Sequence, residues 1–284
     1  MSELIWKGYI VLESGDSVFI QSPFTLNGKI VYGPDSDSTT MSIAGIQYLI
    51  SKGHKVNSIH LPPAVDGEVV YISTLADSPS RSEELDSNEV IWQVMDGDEA
   101  TLLLSKQDNN EFDFDASTFT VEIDAELYTE IQKAWLTECS ELHVSQGAYV
   151  SQAQYREGSS ARLNLTSQIH EGKTIWPPRQ LDENGIRLAK ESKALSGSAQ
   201  VESWTKLSAA GAPSEFSLRA PILGGIQTLL VRFAEGPRGV FLVCDDEDYS
   251  PNIGDSIEFG VRRIYAQEGY IRYGMKAIPI RGQK

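Results

Sequence analysis

The spacing of apolar residues changes character several times along the chain, and each change marks an element. Residues 5–13 (IWKGYIVLE) and 17–23 (SVFIQSP) are apolar runs separated by a Gly-Asp turn, the pattern of a hairpin. After a turn at 33–40, Ile43, Ile46 and Ile50 recur at helical spacing, with Tyr48 and Leu49 widening the stripe. This predicts an amphipathic helix over 41–50 that ends at Gly53. Residues 56–61 read as a short strand broken by Pro62-Pro63, and 67–74 (GEVVYIST) as a stronger strand. The Ser/Glu-rich stretch 76–88 is an expected loop, and the acidic turn at 96–100 leads into the apolar run 101–105. Polar residues 107–115 form an expected hinge. Helical spacing returns with Leu127, Ile131, Ala134 and Trp135, and Asp124 is placed to cap that helix. Residues 145–172 show no usable period.

The last third is β-like. Residues 199–207, 225–233 and 239–244 have strand length and strand composition. The acidic run Asp245-Asp246-Glu247-Asp248 lacks the twelve-residue loop of a calcium site and reads as a solvated turn. Segments 256–265 and 270–276, joined through Glu268-Gly269, complete three short strands with tight connections, as in a small antiparallel barrel or meander.

Charge divides the chain. The net charge is −16, from 24 basic and 40 acidic residues; from residue 173 onward there are 15 basic and 13 acidic ones, which leaves 9 and 27 before it. So acidic a front half argues against non-specific nucleic-acid binding, which requires cations at phosphates. No apolar run reaches the roughly 20 residues of a bilayer span. The start shows no basic-then-apolar leader, so a soluble, cytoplasmic protein is expected. Two cysteines, Cys139 and Cys244, are too few for a disulfide framework or an all-cysteine zinc site. Cys244 reads as a small core residue, and neither has an adjacent base. His54, His60, His143 and His170 show no metal-ligand spacing, and no nucleophile elbow, phosphate loop or dinucleotide fingerprint occurs.

Several back-half segments carry a family likeness: Pro177-Pro178-Arg179, GSAQVESWT (197–205), Ala212-Pro213 with Ala220-Pro221, GGIQTLLVRFAEGPRGVFLV (224–243), Ile253-Gly254 and VRRIYAQEGYIRYGMKAIP (261–279). Over about 110 residues this resembles the OB-fold family that accompanies thiolases and hydroxymethylglutaryl-CoA synthases, usually with a rubredoxin-like zinc ribbon before the barrel. The ribbon of that family uses four cysteines, and none lies between Arg179 and Trp204. The likeness therefore implies a degenerate, metal-free ribbon segment and no zinc. The front half is similar, more faintly, to a reduced thiolase-fold domain through GPDSDSTTM (33–41), GEVVYIST and DGDEATLLLS (96–105). It has no room for the nucleophile elbow and no cysteine there.

The expected fold class is α+β: an α/β domain at 1–110, a helical linker region at 111–172, the degenerate ribbon at 173–200 and an all-β OB-fold barrel at 201–284. The resemblance implies a non-catalytic accessory or scaffold subunit of a thiolase-type acyltransferase complex. Its partner would be a thiolase or a hydroxymethylglutaryl-CoA-synthase-like condensing enzyme, and its ligand a coenzyme A thioester or an acyl-carrier protein, with no nucleic acid, no membrane and no covalently bound cofactor. Candidate contacts to ligand or partner are Arg179, Arg238, Arg262, Arg263, Arg272, Tyr273 and Lys276, because guanidinium and ammonium groups on a barrel mouth suit phosphate oxygens. Strand alternation puts Arg262 and Arg263 on opposite faces, and Arg272 with Lys276 on one. The competing reading is that these cations satisfy nearby carboxylates. Two other classes remain open: a stand-alone enzyme with a site in the front half, and an OB-fold nucleic-acid binder using Tyr265, Tyr270 and Tyr273.

Overall fold

The structure is a computed structural model that describes residues 2–79, 90–106, 114–143, 158–188, 191–208, 210–246, 248–267 and 269–280. The expected loop at 76–88 and hinge at 107–115 fall largely outside these residues. The described residues form a mixed α and β structure with four sheets, and the chain divides into two compact units, residues 1–129 and 130–284. The first unit holds 6 of the 24 basic and 22 of the 40 acidic residues, and so the whole net charge of −16; the second holds 18 of each.

In the first unit, β1 (Ser2–Trp6), β2 (Tyr9–Ser14), β3 (Ser17–Gln21), β6 (Ser58–His60), β7 (Ile91–Asp96) and β8 (Thr101–Lys106) form a sheet in the order β1-β2-β3-β8-β7-β6. A smaller sheet joins β4 (Phe24–Leu26), β5 (Lys29–Val31) and β9 (Val121–Glu122). The predicted first hairpin is present as β2–β3, closing with Ser14 opposite Ser17.

The predicted helix is α1 (Ser38–Ser51). It starts where Asp37 accepts from Thr40 N at 3.0 Å and Thr40 Oγ1 accepts from Asp37 N at 2.9 Å, a reciprocal cap. Its burial extends well beyond one stripe. Gly45 is what lets it lie on the sheet, since a Cβ there would sit 2.7 Å from Ile20 Cδ1 and 2.8 Å from Leu104 Cδ1.

Residues 67–74 correct the sequence reading. They form a helix, α2 (Gly67–Thr74), and not a strand. Asp66 accepts from the N–H groups of both Glu68 and Val69 at 3.1 Å, and Leu75 ends the helix in a left-handed conformation. Val69, Val70, Ser73 and Thr74 are buried, a helical spacing. Burial of one face and a strong cap outweigh the β preference of Val and Ile, which is worth at most about 1 kcal/mol per residue. The likeness of this segment to a thiolase-fold strand is withdrawn with it.

The second unit contains the C-terminal part of α3 (Ala125–Glu138), then α4 (Ser159–Asn164) and a three-stranded sheet of β10 (Thr166–His170), β11 (Lys173–Ile175) and β12 (Ser192–Ala194). Five further strands follow: β13 (Ser198–Leu207), β14 (Ile226–Phe233), β15 (Arg238–Leu242), β16 (Ser256–Gln267) and β17 (Tyr270–Pro279), with a short helix α5 (Arg219–Ile222) before β14. They form one antiparallel sheet in the order β15-β14-β13-β16-β17. β16 and β17 are longer than the short strands expected. Just past β15, Val243 makes a parallel bridge to Ala277 of β17, and Cys244 N donates to Ala277 O at 3.1 Å. Phe233, Phe241 and Phe259 pack together in the core beneath, Phe233 edge-on to Phe241 and stacked on Phe259, with Val201, Leu229 and Ile257. Cys244 is buried, as its setting in the sequence suggested.

Candidate functional site

The closing hairpin places its cations inward. Lys276 is 0 % exposed, Arg262 1 % and Arg263 8 %. Lys276 Nζ donates to Asp245 Oδ1 at 2.7 Å. Asp245, expected in a solvated turn, also accepts from Arg219 Nη1 at 3.3 Å, and its side chain is nearly buried. Arg219 in turn donates Nε to Glu138 Oε1 at 2.8 Å and Nη2 to Ile264 O at 2.6 Å. Its guanidinium lies 4.0 Å from the Trp135 ring centroid, and that of Arg263 lies 4.4 Å from the same ring. Arg262 Nη1 donates to Val261 O at 3.1 Å. A slip in the ladder between Arg263 and Tyr265 breaks the simple alternation assumed from the sequence. Such a charge network binds helix α3 and the loop after β15 to the hairpin, since buried ions require partners.

The remaining predicted residues are scattered. Arg272 stacks over Tyr270 at 5.9 Å. Tyr273 is buried, and its carbonyl accepts from Arg162 Nε at 2.8 Å. Arg238 is exposed on the outer face of the sheet, with its Nε 2.5 Å from Glu202, which also pairs with Arg232. That pairing holds the Glu202 carboxyl below the usual carboxylate range, Arg238 contributing most. Of the predicted residues, Arg179 lines a cavity of substantial size.

That cavity is a groove of about 950 Å³ within the second unit. Trp176, Phe241, Val240 and Met275 supply apolar surface, and Arg162, Arg179, Arg187, Gln168 and Glu191 supply polar groups. Two glycines make it. Gly239 leaves room for the Trp176 ring, since a Cβ there would lie 2.6 Å from Trp176 Cζ3, and the ring stacks on Phe241 at 5.3 Å. Gly274 does the same for Arg162, whose Cγ would be 2.9 Å from a Cβ there. Thus the Gly of Tyr273-Gly274 seats an arginine from α4 across β17 and orients it.

The far wall is the loop 179–188. Arg179 N donates to Gln168 Oε1 at 3.0 Å, Leu188 N to Gln180 O at 3.0 Å, and Leu181 bridges Arg187. Its tip is tied by Asp182, whose Oδ1 accepts from Ile186 N at 2.7 Å and Asn184 N at 2.9 Å. Those backbone N–H groups, Ile186 first, hold the Asp182 carboxyl below its ordinary value. The loop occupies the segment where the sequence likeness places a ribbon. No group of three or more His, Cys, Asp or Glu side chains placed to hold a metal occurs among the described residues.

Sequence reasoning missed Arg162, Arg187 and Trp176 as groove residues. They lie 83 to 108 residues before the start of β17, and only Trp176-Pro177-Pro178-Arg179 carried a local signal. A smaller hollow of about 410 Å³ in the first unit, beside His60, Glu68 and Asp77, has no basic side chain in its lining except His60.

No protein-family profile matches the chain, and no curated protein matches it. Among solved structures, one described as "Ltp2-ChsH2(DUF35) aldolase" aligns at 14 % identity with a TM-score of 0.33, covering 46 % of this chain and 98 % of that one. At a TM-score of 0.33 the likeness establishes no shared fold. None of the helices among the described residues is long and apolar enough to cross a membrane.

Proposed function

We propose that the second unit is an OB-fold barrel and that the protein is a non-catalytic accessory subunit of a thiolase-type condensing enzyme. The observation that carries this reading is the strand order β15-β14-β13-β16-β17 together with the parallel Val243–Ala277 bridge. The bridge brings the two edge strands towards one another, and edge closure is how a five-stranded barrel of this kind protects its edges. The same strands hold the residues that resemble the OB-fold family. In this reading the partner supplies the catalytic cysteine and histidine. Of this chain's own cysteines, Cys244 is in the core and Cys139 follows the end of α3. A coenzyme A thioester would meet this subunit at the groove, through Arg179, and not through the buried cations of the hairpin.

The outer face of β14 and β15 weighs against nucleic acid. Its two arginines, Arg232 and Arg238, are both occupied by Glu202.

Co-expression with the neighbouring genes and affinity purification tests the role. A condensing enzyme is expected at fixed stoichiometry, while the isolated chain turns over no acyl-CoA thioester. Thioester cleavage by the purified chain alone would overturn the accessory reading. Elemental analysis is expected to find well under one zinc per chain, and stoichiometric zinc would overturn the degenerate-ribbon part.

A further inference from the structure

Within the groove, charge and apolar surface are segregated. Trp176, stacked on Phe241, forms an apolar floor with Val240 and Met275 alongside. The loop 179–188 carries Arg179 and Arg187 on the rim, both exposed, and neither forms an ion pair among the described residues. Arg162 adds a third cation, and Glu191 is the single acidic lining residue among those described, so the lining is net cationic in a chain of net charge −16. The volume, about 950 Å³, is at the upper end of the roughly 300–1,000 Å³ range of small-molecule sites.

Each part of this arrangement constrains the ligand. Exposed guanidinium groups beside an apolar floor, those of Arg179 and Arg187, suit an oxyanion, which accepts two N–H donors from each arginine. The floor offers a stacked aromatic pair and a thioether, which suit a hydrocarbon or ring system. A cationic ligand would face repulsion on the rim, and a wholly neutral one would leave it unused.

We infer that the groove binds an amphipathic organic anion, with its apolar body on Trp176, Phe241, Val240 and Met275 and its carboxylate or phosphate head held by Arg179 and Arg187. The inference stands on the groove and not on the accessory role: it applies to the isolated chain. Trp176 is held in place by Gly239 and Phe241, so the floor is formed before the ligand arrives.

Isothermal titration of the full-length protein with decanoate, decyl phosphate and decylamine tests it. One saturable site is expected for at least one of the two anions, weakening as salt rises because the arginines are exposed. The anion that binds more tightly identifies the head group. Decylamine is expected not to bind. The double variant Arg179→Gln/Arg187→Gln is expected to weaken anion binding by about tenfold or more, the scale of one lost charge-assisted hydrogen bond. Val240→Asp, at a position 65 % exposed and therefore harmless to the core, places a carboxylate on the floor and is expected to abolish it. Saturable binding of neither anion, equal binding of decylamine, or anion binding unchanged in both variants would overturn the inference. Failure to co-purify with a condensing enzyme would leave these results as they are, so the two readings fail separately.

Discussion

Lys276 donates its ammonium group to Asp245 at 2.7 Å, with no part of the lysine side chain exposed to solvent. A lysine so placed is a structural cation. Replacing it by Met removes one partner of a buried pair, while Arg219 stays within 3.3 Å of Asp245. Unfolding in urea is expected to show a loss of about 3 kcal/mol, the lower end for a broken buried pair, because Asp245 keeps a second cation. Unchanged stability would show that Asp245 is solvated.

Arg219 touches four parts of the network: Glu138, Asp245, the Ile264 carbonyl and the Trp135 face. Arg219→Met is expected to cost about 3–5 kcal/mol, since the buried Glu138 loses its guanidinium partner while Asp245 loses one cation and keeps Lys276. Adding Glu138→Gln should recover part of that loss, because the stranded charge is then gone. Additive losses in the double variant would argue against coupling. Thermal unfolding of the three variants measures this.

Gly239 and Gly236 provide a matched pair. Both precede or begin the same strand, but a Cβ at Gly239 would meet Trp176 and Phe241, while one at Gly236 meets nothing within 4 Å and is disfavoured only by its positive φ. Gly239→Ala is expected to destabilise by about 1–3 kcal/mol through overpacking and to displace Trp176 from the groove floor. Gly236→Ala should cost stability through backbone strain while leaving the groove's ligand affinity intact. Titration of both variants separates the two effects.

Asp182 holds the loop 179–188 as a carboxylate accepting two backbone N–H groups. Its folded-state pKa lies below the unfolded value. Its stabilising contribution is therefore complete above the unfolded carboxylate pKa, about 4, and is lost as pH falls through the lower folded value. Amide exchange at Ile186 is expected to be slowed at neutral pH relative to Asp182→Asn, with the difference vanishing in acid. A difference that persists once the carboxyl is fully protonated would contradict this.

Much of the second unit was legible locally. Residues 199–207 and 225–233 have the apolar content and length of strands, and β13 and β14 run Ser198–Leu207 and Ile226–Phe233. Helix α1 was legible from Ile43 and Ile46 and from the turn ahead of it. The segment 67–74 was misread because Val69, Val70 and Ile72 favour strands in isolation. The deciding signal was Asp66, three residues past a Pro-Pro break, and a cap is a weaker pattern than a β-branched run.

The groove shows the same division more sharply. The sequence supplied seven candidate cations and aromatics but no distances among them. Arg262, Arg263 and Lys276 lie on a strand pattern that looks half exposed, yet all three are buried, with Asp245 brought to Lys276 and the Trp135 ring to Arg263 from other parts of the chain. Arg179 is exposed, on a loop tied to β10 through its N–H to Gln168.

Sequence alone determined the elements whose signals are local: apolar periodicity, caps, and glycines at turns. It also fixed the imbalance that places the whole net charge in the first 129 residues. Only the tertiary structure decided which cations are partnered in the interior and which face a cavity. The reason is physical. A strand's period names two faces but not what covers them, and a buried ammonium or guanidinium is stable only where distant segments deliver its carboxylates.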